Sequence, residues 1–387
     1  MKKISWPNYS KDEIKIVKSI LVSGKVNQWT GTYVKKFENS FSKLLKLNYC
    51  AAVSNGTAAL EAALFVLNLK KNDEIIVTPR SFVASASAVL KMNLIPRFAD
   101  VDLNSQNIEL NQIKRVFSKK TKAIICVHLA GYPSNMFKIK NFAKKYNIKI
   151  IEDCSQAHGA KINNRYMGSF GDISIWSFCQ DKIISTLGEG GMIGTNNKLL
   201  YSKILSYRDH GKNINKLNKI KNLNEFNYIH DFIGTNIRIT EIQAAVGYLQ
   251  LKKLNLWVKK RNKITALIDS ELSKIEKGVI IQKIPKNYTH SFYRYYFFVN
   301  IAILKDQFDI NLIIKELRKR SNLFFIGGSP EIYKEKVFSK YCKNMKLKNA
   351  NELSKKSICI KISHNLSKSD IIKLCNIVKR TFKDKFQ

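Results

Sequence analysis

Ser177-Phe178-Cys179-Gln180-Asp181-Lys182 follows a strand-like run and leads into Gly188-Glu189-Gly190-Gly191. Upstream, the apolar run Ile148-Lys149-Ile150-Ile151 closes on Glu152-Asp153. A carboxylate at the end of a buried strand and a lysine on a tight glycine-rich turn are what an aldehyde cofactor with a basic ring nitrogen requires. The amine can form a Schiff base with the aldehyde, and the carboxylate can keep the ring nitrogen protonated so that the ring accepts electrons. The pattern reads as a pyridoxal 5'-phosphate site with Lys182 and Asp153 as its catalytic pair.

Each piece has a plainer reading beside it. A lone lysine is unremarkable in this lysine-rich chain; the preceding run Ile173 to Phe178 and the glycines behind it single Lys182 out. An amine held near a positive ring loses its proton more readily and becomes a nucleophile. Acids at the buried end of a strand are costly without a cationic partner, and a protonated ring nitrogen is one; otherwise Asp153 caps a helix. Gln156 is spaced to hydrogen-bond a ring hydroxyl, whereas His158 reads as structural or supporting.

Ser54-Asn55-Gly56-Thr57-Ala58 runs from a strand into a helix. Gly56 permits close backbone approach, and Thr57 with the first helical N–H groups can hold a phosphate. An ordinary N-cap by Ser54, Asn55 or Thr57 fits equally well. Ser177 can add a further phosphate contact, and Phe82, after the second strand, can stack on a flat ring or simply enter the core. Asn236 and Arg238 are polar for an interior entry and could serve a phosphate, or merely precede a helix capped by Thr240.

These residues need a scaffold. Strand candidates fall near 50–54, 75–79, 95–99, 123–128, 148–152, 173–177 and 191–194, with amphipathic helical stretches at 57–68, 81–91 and 134–146. That alternation predicts an α/β fold: a large domain with a mostly parallel seven-stranded sheet sandwiched by helices. Ligands of such sheets sit beyond the carboxyl ends of the strands, where Asp153 falls. A long helix spans about 240–275; strands at 292–301 and 357–362 with helices at 309–319 and 368–382 suffice for a smaller α+β domain. The expected division is 1–250 for the cofactor-binding domain and 251–387 for the C-terminal one.

With 387 residues, 45% hydrophobic, the chain can fill two cores. Its net charge of +38 raises nucleic acid or an anionic surface as partners. The basic residues are scattered in short runs along the whole chain, however, which reads as a solvated surface that also attracts anionic substrates. Seven cysteines without a CxxC pair predict reduced, buried thiols. Six histidines without HxxxH or HExxH spacing predict no metal site, and no GxGxxG opens a helix. The Met1–Pro7 segment has no apolar leader and no run reaches the ~18 residues of a membrane span, so a cytoplasmic protein is expected.

In order along the chain, Trp29-Thr30-Gly31, Phe37-Glu38, Ser54–Leu60, Ser81–Ala84, Ala99–Asp102, Val127–Met136, Glu152–Ala160, Ser177–Gly191, His210-Gly211 and Asn236–Gly247 resemble the DegT/DnrJ-type sugar aminotransferases, which are fold type I pyridoxal-phosphate enzymes. The resemblance implies that Lys182 carries the cofactor, Asp153 pairs with the pyridine nitrogen, Gln156 with the ring hydroxyl, and Phe82 stacks on the ring. It assigns Gly56, Thr57 and Ser177 to a phosphate cup completed by Asn236 of a neighbouring subunit, hence a homodimer. It implies amino transfer from L-glutamate to a keto sugar, a nucleotide-linked 3- or 4-ketohexose destined for surface polysaccharide or lipopolysaccharide.

Departures from the family pattern are also visible. Cys179-Gln180-Asp181 stands where a His-Pro pair is common, and Leu187 lengthens the following turn. A small phosphorylated ketone, such as a triose phosphate, is an alternative acceptor. A pyridoxal-phosphate sugar dehydratase is another alternative, although family members of that kind carry histidine in place of the lysine. Pocket side chains are expected from residues 208–235 and 290–296, without individual assignment.

Overall fold

All seven strand candidates form strands: six are buried along almost their whole length, which extended, helix-covered chain satisfies, while Ile95–Phe98 is buried on alternate residues only. The computed structural model describes residues 6–213, 216, 229–275, 278–305, 309–327, 330–383 and 385. The strands are Tyr49–Val53 (β1), Glu74–Val77 (β2), Ile95–Phe98 (β3), Thr121–Val127 (β4) and Lys149–Asp153 (β5). A short hairpin, Lys161–Ile162 (β6) and Arg165–Tyr166 (β7), precedes Ile173–Ser177 (β8) and Gly191–Thr195 (β9). The main sheet has seven strands in the order β1-β9-β8-β5-β4-β2-β3.

Strands β3, β2, β4, β5 and β8 pair in parallel, and β9 is antiparallel to both β8 and β1. The connection matches: β8 returns as β9 through residues 178–190, which form no crossover helix and fold back on themselves through main-chain bonds, as an antiparallel return requires. Lys182 sits on that link.

Helices cover both faces. Gly56–Val66 and Ala84–Lys91 bury their apolar sides against one face, with Leu60, Leu64 and Val89 among Ile75, Val77, Ile125 and Ile175. Tyr33–Leu45, Met136–Lys145 and the first half of the long helix Glu241–Leu272 cover the other, with Phe37, Phe41, Ile139 and Leu254 among Ile124, Ile150 and Trp176. Thr240 caps the long helix with a Gln243 capping box.

The long helix is continuous through residues 250 and 251 and serves two cores. Leu254, Trp257 and Val258 belong to the large-sheet core; Ile264, Ile268 and Leu272 belong to the next. That second core is built on Val279–Ile281 (β10), Tyr295–Val299 (β12), Phe324–Phe325 (β13) and Ser357–Ile360 (β14). They form a four-stranded antiparallel sheet, order β10-β12-β14-β13, packed by Ile310–Arg320 and Lys368–Phe382. Tyr288–Thr289 (β11) instead joins β6 and β7. The strand expected at 292–301 starts later, at Tyr295, because Phe292 takes a left-handed φ of 49° that breaks extended chain. Residues 292–294 are thereby left to reach the large sheet's edge.

Candidate functional site

The carboxyl edge of the sheet gathers the predicted residues. Asp153 ends β5 opposite Ile175 of β8, and Ser177 ends β8 opposite Gly191, which also pairs with Val53 at the end of β1. The Ser54–Gly56 turn thus lies directly against Ser177.

Lys182 is held on a loop closed by main-chain bonds. Phe178 N–H donates to the Gly190 carbonyl (2.8 Å), Gln180 N–H to Gly188 (2.9 Å) and Thr186 N–H to Phe178 (3.1 Å). Leu187 and Gly188 take positive φ of 60° and 112° to close the turn, and the Trp6 indole N–H donates to the Lys182 carbonyl at 2.7 Å. The side chain is only 14% exposed. Its Nζ donates to the Tyr293 hydroxyl (3.3 Å) and lies 3.7 Å from Asp181 Oδ1. Burial lowers the amine's pKa, but Tyr293 and Asp181 outweigh it and the net displacement is upward; the sequence reading expects easier proton loss, from a cofactor's positive ring.

The two acids that close β5 diverge, because successive strand residues face opposite sides. Asp153 is 4% exposed; its Oδ2 accepts from Ser85 Oγ (2.9 Å), itself bonded to Ser81 Oγ (2.9 Å), and its Oδ1 accepts from Ser155 N–H (3.1 Å). A carboxylate offers about four acceptor positions, so room for a cationic donor remains. Glu152 does structural work. It accepts from His128 Nε2 (3.2 Å) and the amides of Gly168 (2.9 Å), Phe170 (2.6 Å) and Gly171 (2.6 Å). Burial pushes its carboxyl up, but His128 and the Gly168 and Gly171 amides leave it below the usual carboxylate range.

The remaining candidates fall into place around this edge. Asn55, not Ser54 or Thr57, caps the helix through Ala58 N–H at 2.8 Å, while its carbonyl takes Ala59 N–H. That leaves the amides of Gly56 and Thr57 for a bound anion. Gly56 is pressed against Ser177, and Thr57 is exposed. Gln156 Oε1 accepts from Ala130 N–H at 2.8 Å, which fixes its amide nitrogen as the outward donor. Phe82, just before helix Ala84–Lys91, is 63% exposed, unlike a core phenylalanine. Asn236 bridges Asp209 through the backbone with its side chain exposed, and Arg238 pairs with Asp209 rather than standing free for a phosphate. An oriented acid, a buried amine, an anion cradle and an exposed flat ring fit a phosphorylated pyridine aldehyde.

His158 is buried against Phe178, ring centroids 5.6 Å apart, and its imidazole is pushed down to about 3 by burial, with Lys182 and Arg261 adding repulsion. His128, Glu152 and Cys154 bring ligand-type atoms within 4.8 Å of one another. Both His128 nitrogens are already engaged, Nδ1 by Ser134 N–H and Nε2 by Glu152, so this cluster is held by hydrogen bonds. All seven cysteines are free thiols, and among the described residues no helix is long and apolar enough to cross a membrane.

Of the expected pocket segments, residues 214–215 and 217–228 lie outside the described residues. From 290–296, Tyr293 and Arg294 reach the lysine loop; sequence reading pointed to the segment but not to these contacts.

A mostly parallel seven-stranded sheet carrying a buried lysine loop at its carboxyl edge defines a fold type I aminotransferase. The chain belongs to the DegT/DnrJ/EryC1/StrS aminotransferase family, whose profile matches residues 7–379. It is similar to the GDP-perosamine synthase of Escherichia coli O157:H7, 32% identical over 92% of each chain. The structure of an aminotransferase from Psychrobacter cryohalolentis superposes with a TM-score of 0.95 at 36% identity, over 98% of this chain and 99% of that one. Helicobacter pylori PseC, an aminotransferase of pseudoaminic acid biosynthesis, gives 0.89 at 26% identity over 98% and 99%.

Proposed function

We propose that this chain moves an amino group from L-glutamate to a nucleotide-linked 3- or 4-keto sugar for surface polysaccharide synthesis, using pyridoxal 5'-phosphate. The observation that carries the reading is the hydrogen-bonded pairing of β5, which ends in Asp153, with β8, which runs into the Lys182 loop. Relatives named for GDP-perosamine and for a dTDP-3-amino sugar support the substrate class. The donor, the cytoplasmic location and a homodimer sharing Asn236 across its interface are part of the proposal.

When bound, the cofactor supplies an aldehyde to carry the amino group and a protonated ring to accept electrons. Lys182 Nζ would hold that aldehyde and, once displaced by the amino donor, would take the proton from the donor's Cα and return it to the former aldehyde carbon on the other side of the nitrogen. Asp153 holds a proton on the ring nitrogen. Gln156 donates to the ring oxygen, Phe82 covers one ring face, and Gly56, Thr57 and Ser177 bind the phosphate with help from the helix N-terminus. With a keto sugar, Lys182 runs the proton movement in reverse.

The test is a panel of keto-sugar nucleotides and ketose phosphates assayed for glutamate-dependent amination. Amination of a nucleotide-linked keto sugar, abolished in a folded Lys182→Ala variant, is expected. Normal turnover in that variant, or amination confined to ketose phosphates, would overturn the reading.

A further inference from the structure

The family departure at Cys179-Gln180-Asp181 has a structural counterpart that the proposed reaction leaves unused. The Tyr293 hydroxyl accepts from Lys182 Nζ (3.3 Å) and from Arg294 Nη2 (3.2 Å), and donates to Asp181 Oδ2. Arg294 Nη2 also donates to Asp181 Oδ2 at 2.9 Å. A hydroxyl has one proton and two lone pairs. Here the proton goes to the anion and the lone pairs face two cations, so every valence of the phenol is used. Lys182 Nζ also lies over the Tyr293 ring, 4.6 Å from its centroid, so the ring face adds to the hold.

The parts come from distant stretches of the chain. Asp181 adjoins Lys182 on the loop between β8 and β9, while Tyr293 and Arg294 precede β12. The second segment is anchored independently of the lysine. Ser291 N–H donates to the Gly131 carbonyl (3.1 Å), and the buried Arg261 donates to the Phe292 carbonyl (2.8 Å). Gly131 must lack a side chain, since a Cβ there would stand 2.3 Å from Ser291 Oγ. The hydroxyl is therefore presented by a braced segment.

We propose that Asp181 and Tyr293 are positioning residues that grip Nζ of Lys182 whenever that amine is free, favour its proton-bearing form, and aim it for proton transfer. This rests on the assignment of Lys182 as the reactive amine. After Nζ takes a proton it becomes a cation in a nearly closed site, where an unpaired charge is costly. Asp181 supplies the countercharge, and Arg294 keeps Asp181 ionised. Other charged or titratable groups facing this cluster include Cys179 on the same loop, His158 after β5, Arg261 on the long helix, Cys359 in β14 and Lys361 beyond it. His158 is buried and Lys361 bears on Asp181 rather than on the amine; among the described residues Asp181 is the carboxylate within ion-pair distance of Nζ.

The test uses the full-length chain freed of bound aldehyde with hydroxylamine, labelled by trace acetic anhydride across pH, with the Lys182 peptide quantified by mass spectrometry. Asp181→Asn should label Lys182 about three- to tenfold faster at pH 8 and move the half-reactive pH downward, because one unit of pKa is tenfold in the neutral fraction. Tyr293→Phe should shift it the same way by a smaller factor, and Asp181→Glu should restore the wild-type midpoint. Labelling of a reference surface lysine should not move. Unchanged midpoints in Asp181→Asn and Tyr293→Phe, both verified as folded by circular dichroism, overturn the clasp even if Lys182→Ala is inactive. Full amination activity in Lys182→Ala instead removes the assignment beneath it.

Discussion

Gly56 lies so close to Ser177 that a Cβ added to the glycine would stand 2.6 Å from the serine's Cβ and 3.2 Å from its Cα. Two connections of the sheet, the β1–helix turn and the end of β8, meet there without space for a methyl group. The contact brings the free amides of Gly56 and Thr57 beside a serine hydroxyl. Gly56→Ala should push the two arms apart. Strain of this kind costs about 1–3 kcal/mol. Where it falls on the cradle, affinity for pyridoxal 5'-phosphate should drop by roughly 5- to 150-fold. Equilibrium dialysis measures it, and unchanged affinity in a folded variant would remove Gly56 from the phosphate site.

Asp153 differs from its neighbour in having acceptor capacity left over. Asp153→Asn keeps the shape and can still accept from Ser85 or Ser155, yet it cannot hold a proton on a ring nitrogen. Stability should change little, while the amination rate should fall by about 10²-fold or more. Paired thermal melts and turnover assays separate the two effects. A parallel loss of melting temperature and activity would count against the proposed role.

Glu152 should behave in the opposite way. Its oxygens face three amides and His128, all donors. Glu152→Gln turns one acceptor into a donor against them and should cost about 3 kcal/mol in urea unfolding at neutral pH. Because the folded carboxyl lies below its ordinary value of 4.5, its contribution is present above that pH and is lost as pH falls through the folded value. The difference between wild type and Glu152→Gln should therefore shrink in acid. A constant difference down to the acid transition would contradict the ionised pairing.

Which of these features could be read from the sequence depends on the range of the interaction. The seven strands of the main sheet were legible because Ile75-Ile76-Val77 or Ile173-Ser174-Ile175 admit no half-exposed helix, whereas their order in the sheet was not. Helices Lys11–Ser23, Tyr33–Leu45, Leu110–Val116, Lys198–Arg208 and Lys348–Lys356 were missed, although Ser10 with Glu13 forms a capping box and Asn197 caps Lys198–Arg208. Strands β6, β7, β11 and β13 have two residues each, too few to show a period. In the site, the placement of Lys182, Asp153 and Gln156 just at or beyond strand ends was legible, because it is local in sequence. Ser85 on Asp153 and Tyr293 on Lys182 were not, being set by contacts across 68 and 111 residues. Glu152 looked like half of an acidic pair, and only the strand's pleat separates its work from that of Asp153.

The buried imidazoles make a prediction about acid stability. His158 packs on Phe178, and His290 stacks on Phe292 with ring centroids 3.9 Å apart while its Nδ1 accepts from Phe292 N–H. Burial pushes each down from 6.5 to about 3, and for His158 Lys182 and Arg261 add repulsion. In the folded chain both stay neutral through the mildly acidic range, whereas the unfolded chain takes up their protons as pH falls below 6.5. His364, stacked on Trp257, is likewise pushed down to about 3 by burial, so unfolding binds up to three extra protons and stability must fall with pH. Each proton is worth about 1.4 kcal/mol per pH unit, giving a loss of about 2 kcal/mol per histidine between pH 6.5 and 5. Glu152 adds little in that window, since its group titrates below it. Urea unfolding at pH 7 and pH 5 should show a difference of about 5–6 kcal/mol in wild type, falling to about 2 kcal/mol in a folded His158→Gln, His290→Gln double variant that keeps His364. A wild-type stability that stays level from pH 7 to 5 would mean that these imidazoles are not held neutral. In that case the site around Lys182 would carry an additional positive charge.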